Sequence, residues 1–220
     1  MNLTLFNFEK QKPNFNNQTK KMKNLKLVLS LALSLVVLFN ANAGKKPMPL
    51  SVDAAKSSVN WLAKKVTGQH NGTIGLAKGT LEVDGKKIVG GSFEIDMKTL
   101  KCTDLTDAGY NAKLIGHLTG ADFFDTSKFG TAALKITKVT PKDGKNVEIT
   151  GDLTIKGITA PITFPAVVDM TATGATATAA ITIDRTKYDI KYGSKSFFAS
   201  IGDKAIDDTF VLDVKLVAGK

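Results

Sequence analysis

Apolar residues recur at every second position through most of the chain beyond residue 56. Val59, Trp61 and Ala63 alternate with Asn60, Leu62 and Lys64, and Ile74 and Leu76 alternate with Thr73 and Gly75. Leu81 and Val83 follow in the opposite phase, so a bulge or bend is expected beside Gly75 and Gly79. Val89, Gly91, Phe93, Ile95 and Met97 form the next inward set, with Leu134 and Ile136 after it. Val147 to Ile155, Ile162 to Met170, Ala177 to Ile183 and Phe210 to Leu216 continue the alternation, against faces of Thr, Asp, Glu and Lys. Period two with one polar face is the mark of half-buried antiparallel strands. The pattern predicts eight, at about 57–66, 72–83, 87–97, 131–140, 146–156, 161–170, 175–184 and 208–217.

Turn chemistry separates them. Asp84-Gly85-Lys86 and Asp143-Gly144-Lys145 are hairpin signals, because glycine accepts a positive φ without a Cβ clash. Lys156-Gly157 and Thr173-Gly174 mark two further turns. Two stretches break the alternation. Residues 104–119, bounded by Asp104 and Gly120, space Ala108, Ala112, Leu114, Ile115 and Leu118 as a helix does. Residues 186–207 read as an irregular loop, with room for one helical turn. The expected fold is all-β: an eight-stranded antiparallel meander closed into a barrel, with a short helix between strands 3 and 4. Closure removes exposed sheet edges.

The first 43 residues follow another logic. Met22-Lys-Asn-Leu-Lys is basic, Leu27 to Phe39 is apolar apart from Ser30 and Ser34, and Ala41-Asn42-Ala43 supplies an A-x-A site. This predicts a secretory signal peptide over 22–43. The apolar run is shorter than the ~20 residues of a comfortable membrane span, although an uncleaved anchor is the alternative. Residues 1–21, rich in Asn, Lys and Gln, precede a complete signal with its own Met22 and read as a mis-called extension. The mature domain is then 44–220, with a periplasmic or secreted location.

Charge adds little. Residues 1–43 carry six Lys and one Glu, and the rest carries 23 Lys, one Arg and 19 acids, scattered singly or in pairs. Nucleic-acid readers depend on the flat fork of arginine, so this composition argues against that partner. Cys102 is the only cysteine, which leaves no internal disulfide to an exported chain. No His lies within fourteen residues of Cys102, so an inert thiol is expected. The sequence has no Gly-x-Ser-x-Gly, His-Glu-x-x-His, Walker-type loop or close-set Cys/His pattern. No catalytic residue, metal or cofactor is therefore expected. A weak enzyme would have to pair His70 or His117 with Asp122 or Asp107. His117, near the predicted helix end, is expected to help satisfy the last carbonyls.

A barrel of eight strands is just wide enough to be filled by side chains or to hold one small ligand. Pattern alone favours a filled core, because most apolar stripes are core. The small inward residues Ala63, Gly91, Gly151, Ala166, Ala177 and Ala179 would leave volume for an apolar guest. An outer-membrane barrel would need an apolar outer face and aromatic girdles, and one Trp and three Tyr do not supply them.

An ordered series of short strings resembles the YceI-like family, exported polyisoprenoid-binding proteins with a lipocalin-like barrel. The Trp61 strand leads into Lys65-Val-Thr-Gly-Gln-His70-Asn-Gly, and Gly91-Ser-Phe93 and Ile95-Asp96-Met97 follow. Then come Lys113-Leu-Ile-Gly-His117-Leu118, Asp122-Phe123-Phe124-Asp125, Gly151-Asp-Leu-Thr-Ile-Lys156-Gly157 and Ile183-Asp184-Arg185. The match runs from about Leu50 to Ala218. Two positions depart from the family pattern: Asn111-Ala112-Lys113 replaces an acidic or Arg-Asp pair, and Lys128-Phe129-Gly130 lacks a usual proline.

The resemblance implies a hollow barrel that takes a long isoprenoid or fatty chain. Trp61, Phe93, Ile95, Met97, Phe164, Phe210 and Leu212 would line it, with Phe123, Phe124, Phe197 and Phe198 closing its mouth. His70, Asp122 and Arg185 would meet a head group, or Arg185 would form a partly buried ion pair with a strand acid. The expected partner is an apolar lipid or isoprenoid, with a homodimer left open. A surface-acting barrel without ligand is the remaining rival.

Overall fold

The computed structural model describes residues 46–219. The segments 1–21 and 22–43 therefore lie outside the described residues. The elements are β1 (Met48–Val52), β2 (Ser58–Lys65), β3 (Gly68–Asp84), β4 (Lys87–Cys102), α1 (Ala108–Thr119), β5 (Thr131–Pro141), β6 (Asn146–Ile155), β7 (Ile158–Met170), β8 (Gly174–Asp184) and β9 (Ile206–Gly219). Two 3-10 turns, Arg185–Tyr188 and Gly202–Lys204, punctuate the connection between β8 and β9.

All strand pairings are antiparallel. The order β3-β2-β9-β8-β7-β6-β5-β4 closes on itself through β3 and β4, giving the eight-stranded barrel that the alternation predicts. The ninth strand, β1, was not foreseen. It lies between β3 and β9, pairing Met48 with Val83, Ser51 with Thr80 and Val52 with Ala218. β2 occupies the same gap further along. The two are one stave, broken at residues 53–57, where the Asp53 carboxylate accepts the Ala55 and Lys56 amides.

The phase change in β3 has a visible cause. Leu76 pairs with Ile95 and Lys78 with Glu94, so Ala77 is an extra residue. One extra residue reverses the faces of everything after it. Ile74 and Leu76 thus share the interior with Leu81 and Val83. A second shift, between Glu82 and Val83, corrects one inward assignment: Ile88 is buried at 7% exposure while Val89 is 40% exposed.

α1 starts later than the sequence suggested. Its N-cap is Asp107, whose side chain accepts the Tyr110 amide at 2.8 Å, and it stops at Gly120 as expected. Asn111 ties it down, donating from Nδ2 to the carbonyls of Cys102 and Leu105. An uncharged side chain thus anchors the helix. No helix among the described residues is long and apolar enough to cross a membrane.

Two ends are distinct. The floor gathers the β3–β4, β5–β6 and β7–β8 turns and β1, over a cluster that includes Leu50, Leu81, Val83, Ile88, Ala175 and Leu216. The mouth gathers the β2–β3 and β6–β7 turns, α1 and the 185–205 connection. β7 and β8 are paired only near the floor, from Val167↔Thr178 to Met170↔Ala175. Above that they part, and Pro161 and Pro165, which cannot donate to a ladder, lie in the stretch of β7 that pairs with β6 but not with β8. The 3-10 turn Arg185–Tyr188 packs beside β7, with Tyr188 and Ile190 buried in the same core as Phe164 and Ile183.

Candidate functional site

The barrel is hollow. A cavity of about 710 Å³ runs inside it, within the ~300–1,000 Å³ range of small-molecule sites. Its wall is made by the inward residues of the alternation. The small residues Ala63, Ala166, Ala177 and Ala179 all lie on it, beside larger ones such as Trp61, Phe93 and Phe164. Small side chains at these positions leave the volume that a filled core would occupy.

Polarity along the wall is uneven. Lys64, Lys65, Thr67, His70, Asp203, Lys204, Asp207 and Thr209 all belong to the mouth, and below them Thr178 is the one polar exception. His117, Arg185 and Tyr192 add to the polar end at the mouth, and the rest is aliphatic and aromatic, ending on Leu81, Ile88, Val168 and Leu216 at the floor. An amphiphile with one polar end has a single favourable orientation in such a vessel.

The sequence-predicted residues divide clearly. Trp61, Phe93, Ile95, Met97, Phe164, Phe210 and Leu212 are on the cavity wall, and Phe123 and Phe124 are on it at the mouth. Phe197 and Phe198 are not. Both of their amides donate to the Ser194 carbonyl, and this tight turn leaves the two rings 50% and 52% exposed outside the wall. Asp122 is likewise off the wall, a largely exposed carboxylate 3.7 Å from His117 Nε2.

Arg185 touches the cavity, but its guanidinium is committed elsewhere. Nε donates to the Asp207 carbonyl (2.9 Å), Nη1 to Ile190 (2.8 Å) and Nη2 to Ile206 (3.1 Å), with the Asp208 carboxylate 3.6 Å away. Burial pushes its pKa down, opposed by Asp208, Asp184 and Asp207. For Asp208, burial raises the carboxyl, but Ser194, Ser196 and the Arg185 charge together hold it below its ordinary range. Arg185 is thus the ion-paired anchor of the mouth connection, the second of the two roles expected for it.

His70 is different. It lies on the cavity wall, and its Nδ1 is 2.9 Å from Asp104 Oδ2. Asp104 also accepts the Asn71 amide at 3.0 Å and the Cys102 thiol at 3.1 Å. Burial works against ionisation of Asp104, but these hydrogen bonds outweigh it and hold the carboxyl at about 2. Burial, and the Asp104 carboxylate beside it, push the Cys102 thiol up. The thiol therefore stays protonated and unreactive at neutral pH. His70, Cys102 and Asp104 offer nitrogen, sulfur and oxygen atoms within 4.8 Å of one another, a set that could close on a soft divalent ion only by giving up these hydrogen bonds. Sequence distance hid this cluster, because His70 stands 32 positions from Cys102.

His117 also departs from expectation. The Gly120 amide satisfies its carbonyl, and its ring lies edge-on to Phe123 (4.9 Å) and Tyr192 (4.6 Å), joining α1 to the mouth connection. Lys156 and Gly157 turn the β6–β7 hairpin with φ of 50° and 74°. Gly157 needs its missing Cβ twice over, since that atom would also lie 2.9 Å from the Phe129 ring.

Comparison with known proteins places these features in context. A family model described as the YceI-like domain matches residues 50–218. A UPF0312 protein of Vibrio parahaemolyticus is 30% identical over 119 residues, covering 53% of this chain and 60% of that protein. A UPF0312 protein of Vibrio cholerae is 29% identical over 146 residues, covering 66% and 74%. Among solved structures, BcnA of Burkholderia cenocepacia is similar with a TM-score of 0.61 and 25% identity, over 76% of this chain and 99% of that one. A polyisoprenoid binding domain from Saccharophagus degradans, implicated in plant cell wall breakdown, has the same fold, with a TM-score of 0.55, 16% identity and coverage of 77% and 97%.

Proposed function

The chain belongs to the YceI-like family, and from that premise we propose that it is an exported carrier holding one long apolar chain, polyisoprenoid or fatty-acid-like, inside its barrel. The observation that carries this reading is the cavity of about 710 Å³ with its polar residues gathered at one end. The basic, apolar and A-x-A segments of residues 22–43 support export.

Binding on this reading is desolvation. Each CH2 that leaves water gains ~0.8 kcal/mol, so a chain of about twenty carbons gains roughly 16 kcal/mol in total. Lost translational freedom and ordering cost roughly 4–15 kcal/mol. Chains of about ten carbons therefore barely break even, and long chains are retained. Trp61, Phe93, Ile95, Met97, Phe164, Phe210 and Leu212 form the tunnel, Phe123 and Phe124 narrow its mouth, and His70 presents Nε2 to the head group. A polar head that found no partner there would offset part of the gain.

The test is native mass spectrometry of the protein purified from its own host, followed by lipid extraction. A mass excess that becomes a long-chain lipid on extraction is expected. A protein that never carries lipid from its host and takes up none when offered would reject the reading. N-terminal sequencing of the exported protein is expected to begin at Gly44.

A further inference from the structure

Phe197 and Phe198 call for an explanation that the cavity does not provide. Two consecutive phenylalanines are half exposed on a connection whose backbone is otherwise well held. Ser194 beneath them is fully buried, and Ser196 Oγ donates to Asp208 Oδ2 at 2.5 Å. They are not isolated. The Ile206 amide donates to the Gly193 carbonyl, Lys65 pairs with Ile206, and the Val66 amide donates to Ala205. These contacts bring the β2–β3 turn and the 191–205 segment into one rim around the mouth. Val66 (50%) and Tyr192 (47%) add two more exposed apolar side chains to it. Towards the floor Met48, Val89 and Val167 are exposed singly, which is ordinary for a soluble surface, and Tyr110 on α1 and Ile158 at the β6–β7 turn are two further single exposed side chains at the mouth end.

Charge decides what this rim fits. This rim and the residues that flank it, 64–66 and 187–207, carry Lys64, Lys65, Lys187, Lys191, Lys195 and Lys204. The acids facing outward among them are Asp189, already paired with Lys191 at 2.7 Å, together with Asp203 and Asp207. Asp208 is turned inward to Arg185 and the serines. Exposed aromatic rings set among surplus lysines match an anionic lipid–water interface, where rings sit at head-group depth and cations meet lipid charge. Lys191 lies 5.0 Å over the Phe197 ring, so cation and ring are presented together.

We propose that this rim is a docking surface for an anionic bilayer, which sets the mouth of the barrel against the membrane. The docking itself rests on exposure and charge. Its use, transfer of an apolar chain between bilayer and barrel without crossing water, rests on the carrier reading above.

The experiment is co-sedimentation of the host-purified protein with vesicles of phosphatidylcholine alone and of phosphatidylcholine with phosphatidylglycerol. Binding to the anionic vesicles is expected, at least tenfold weaker in ~0.5 M salt, where charges are screened over a few ångströms. Phe197→Ser with Phe198→Ser is expected to weaken it at least tenfold. Both rings are outside the core, so the double variant folds, and its retained lipid is expected to be unchanged by native mass spectrometry. Equal binding to both vesicle types, binding indifferent to the Phe pair, or no vesicle binding at all would overturn the proposal. The last result, with a defect of the double variant in the host, would point to a protein acceptor instead. Vesicle binding by a protein that never carries lipid would uphold the docking surface and reject the carrier reading.

Discussion

His70 Nδ1 and Asp104 Oδ2 stand 2.9 Å apart, although 34 positions separate the two residues. The bond crosses the mouth end of the β3–β4 pair and leaves Nε2 as the ring nitrogen with no hydrogen-bond partner among the described residues. Asp104 is thus a positioning residue for His70 and a clasp for the Asn71 amide and the Cys102 thiol.

That clasp makes a prediction about acid. The folded pKa of Asp104 is lowered from 3.8 to about 2, so its ionised form stabilises the fold. For a depressed carboxyl the stabilisation is complete above the unfolded value and disappears as pH falls through the folded one. The window is therefore pH 4 down to about 2. Asp104→Asn is expected to cost about 1–2 kcal/mol near neutral pH, discounted for the partial exposure of the side chain. Urea unfolding at pH 7 and pH 2.5 checks this: the gap between wild type and variant should narrow in acid. A gap that stays constant would mean that the carboxylate charge contributes nothing.

Arg185 predicts a different failure. Its fork serves three backbone carbonyls at the join of β8, the mouth connection and β9. Arg185→Met would leave those carbonyls and the Asp208 carboxylate without their cation, at a cost of roughly 3–5 kcal/mol. Arg185→Lys should recover only part, because one ammonium cannot reproduce the planar fork. Hydrogen exchange should quicken first at Ile190 and Ile206, whose amides hold the connection in place. Destabilisation below ~1 kcal/mol would show that this network is dispensable.

These two sites mark where sequence reading stops. The barrel was legible because alternation over Val147–Ile155 or Phe210–Leu216 is a local signal that burial enforces. β1 was not legible: Met-Pro-Leu-Ser-Val places only Leu50 in the core and carries too few residues to show a period. The phase change in β3 could be read from Ile74, Leu76, Leu81 and Val83, whereas the exposure of Val89 could not. Val89 is itself the extra residue of a bulge in β4, skipped between the pairs Glu82↔Gly90 and Val83↔Ile88. The inward direction of the strand residues on the wall is legible in their phase, whereas the open volume between them is not: pattern alone favours a filled core, and the family resemblance supplies the hollow one. Residue type alone points Phe197 and Phe198 into the mouth, whereas the backbone turn at Ser194 puts their rings outside the cavity wall, on its rim. The His70–Asp104 contact leaves no periodic trace at all.

Ala179 tests whether the cavity is where the ligand goes. It sits on the cavity wall opposite Val214, in the middle of β8. In a filled core, Ala179→Phe would overpack and cost ~1–3 kcal/mol. In this barrel the ring has open volume to enter. The expected result is a melting temperature within about 4 °C of wild type, together with loss of the retained lipid. Unfolding of the variant, from a wild type that carries no lipid, would favour the filled core. Unchanged stability with unchanged binding would mean that the chain occupies another place.

Trp61 can report the orientation of the ligand as well as its presence. It is the only tryptophan in the sequence, 7% exposed and on the cavity wall, with its Nε1 fixed to the Lys101 carbonyl at 3.0 Å. Its neighbours Leu100, Cys102, Leu114 and Leu118 put it in the half of the barrel nearest the mouth. Because the floor is apolar and the mouth polar, a guest should enter tail first. A bromine near the head of a long alcohol should then quench Trp61 more than one at the tail. Titration with a series of unbranched alcohols should show affinity rising about tenfold for every two CH2, as ~0.8 kcal/mol per CH2 requires. The rise should stop once the chain has reached the floor at Leu81, Ile88 and Leu216, because further carbons stay in water. Stronger quenching from the tail would reverse the orientation, and affinity independent of chain length would remove desolvation as the driving force.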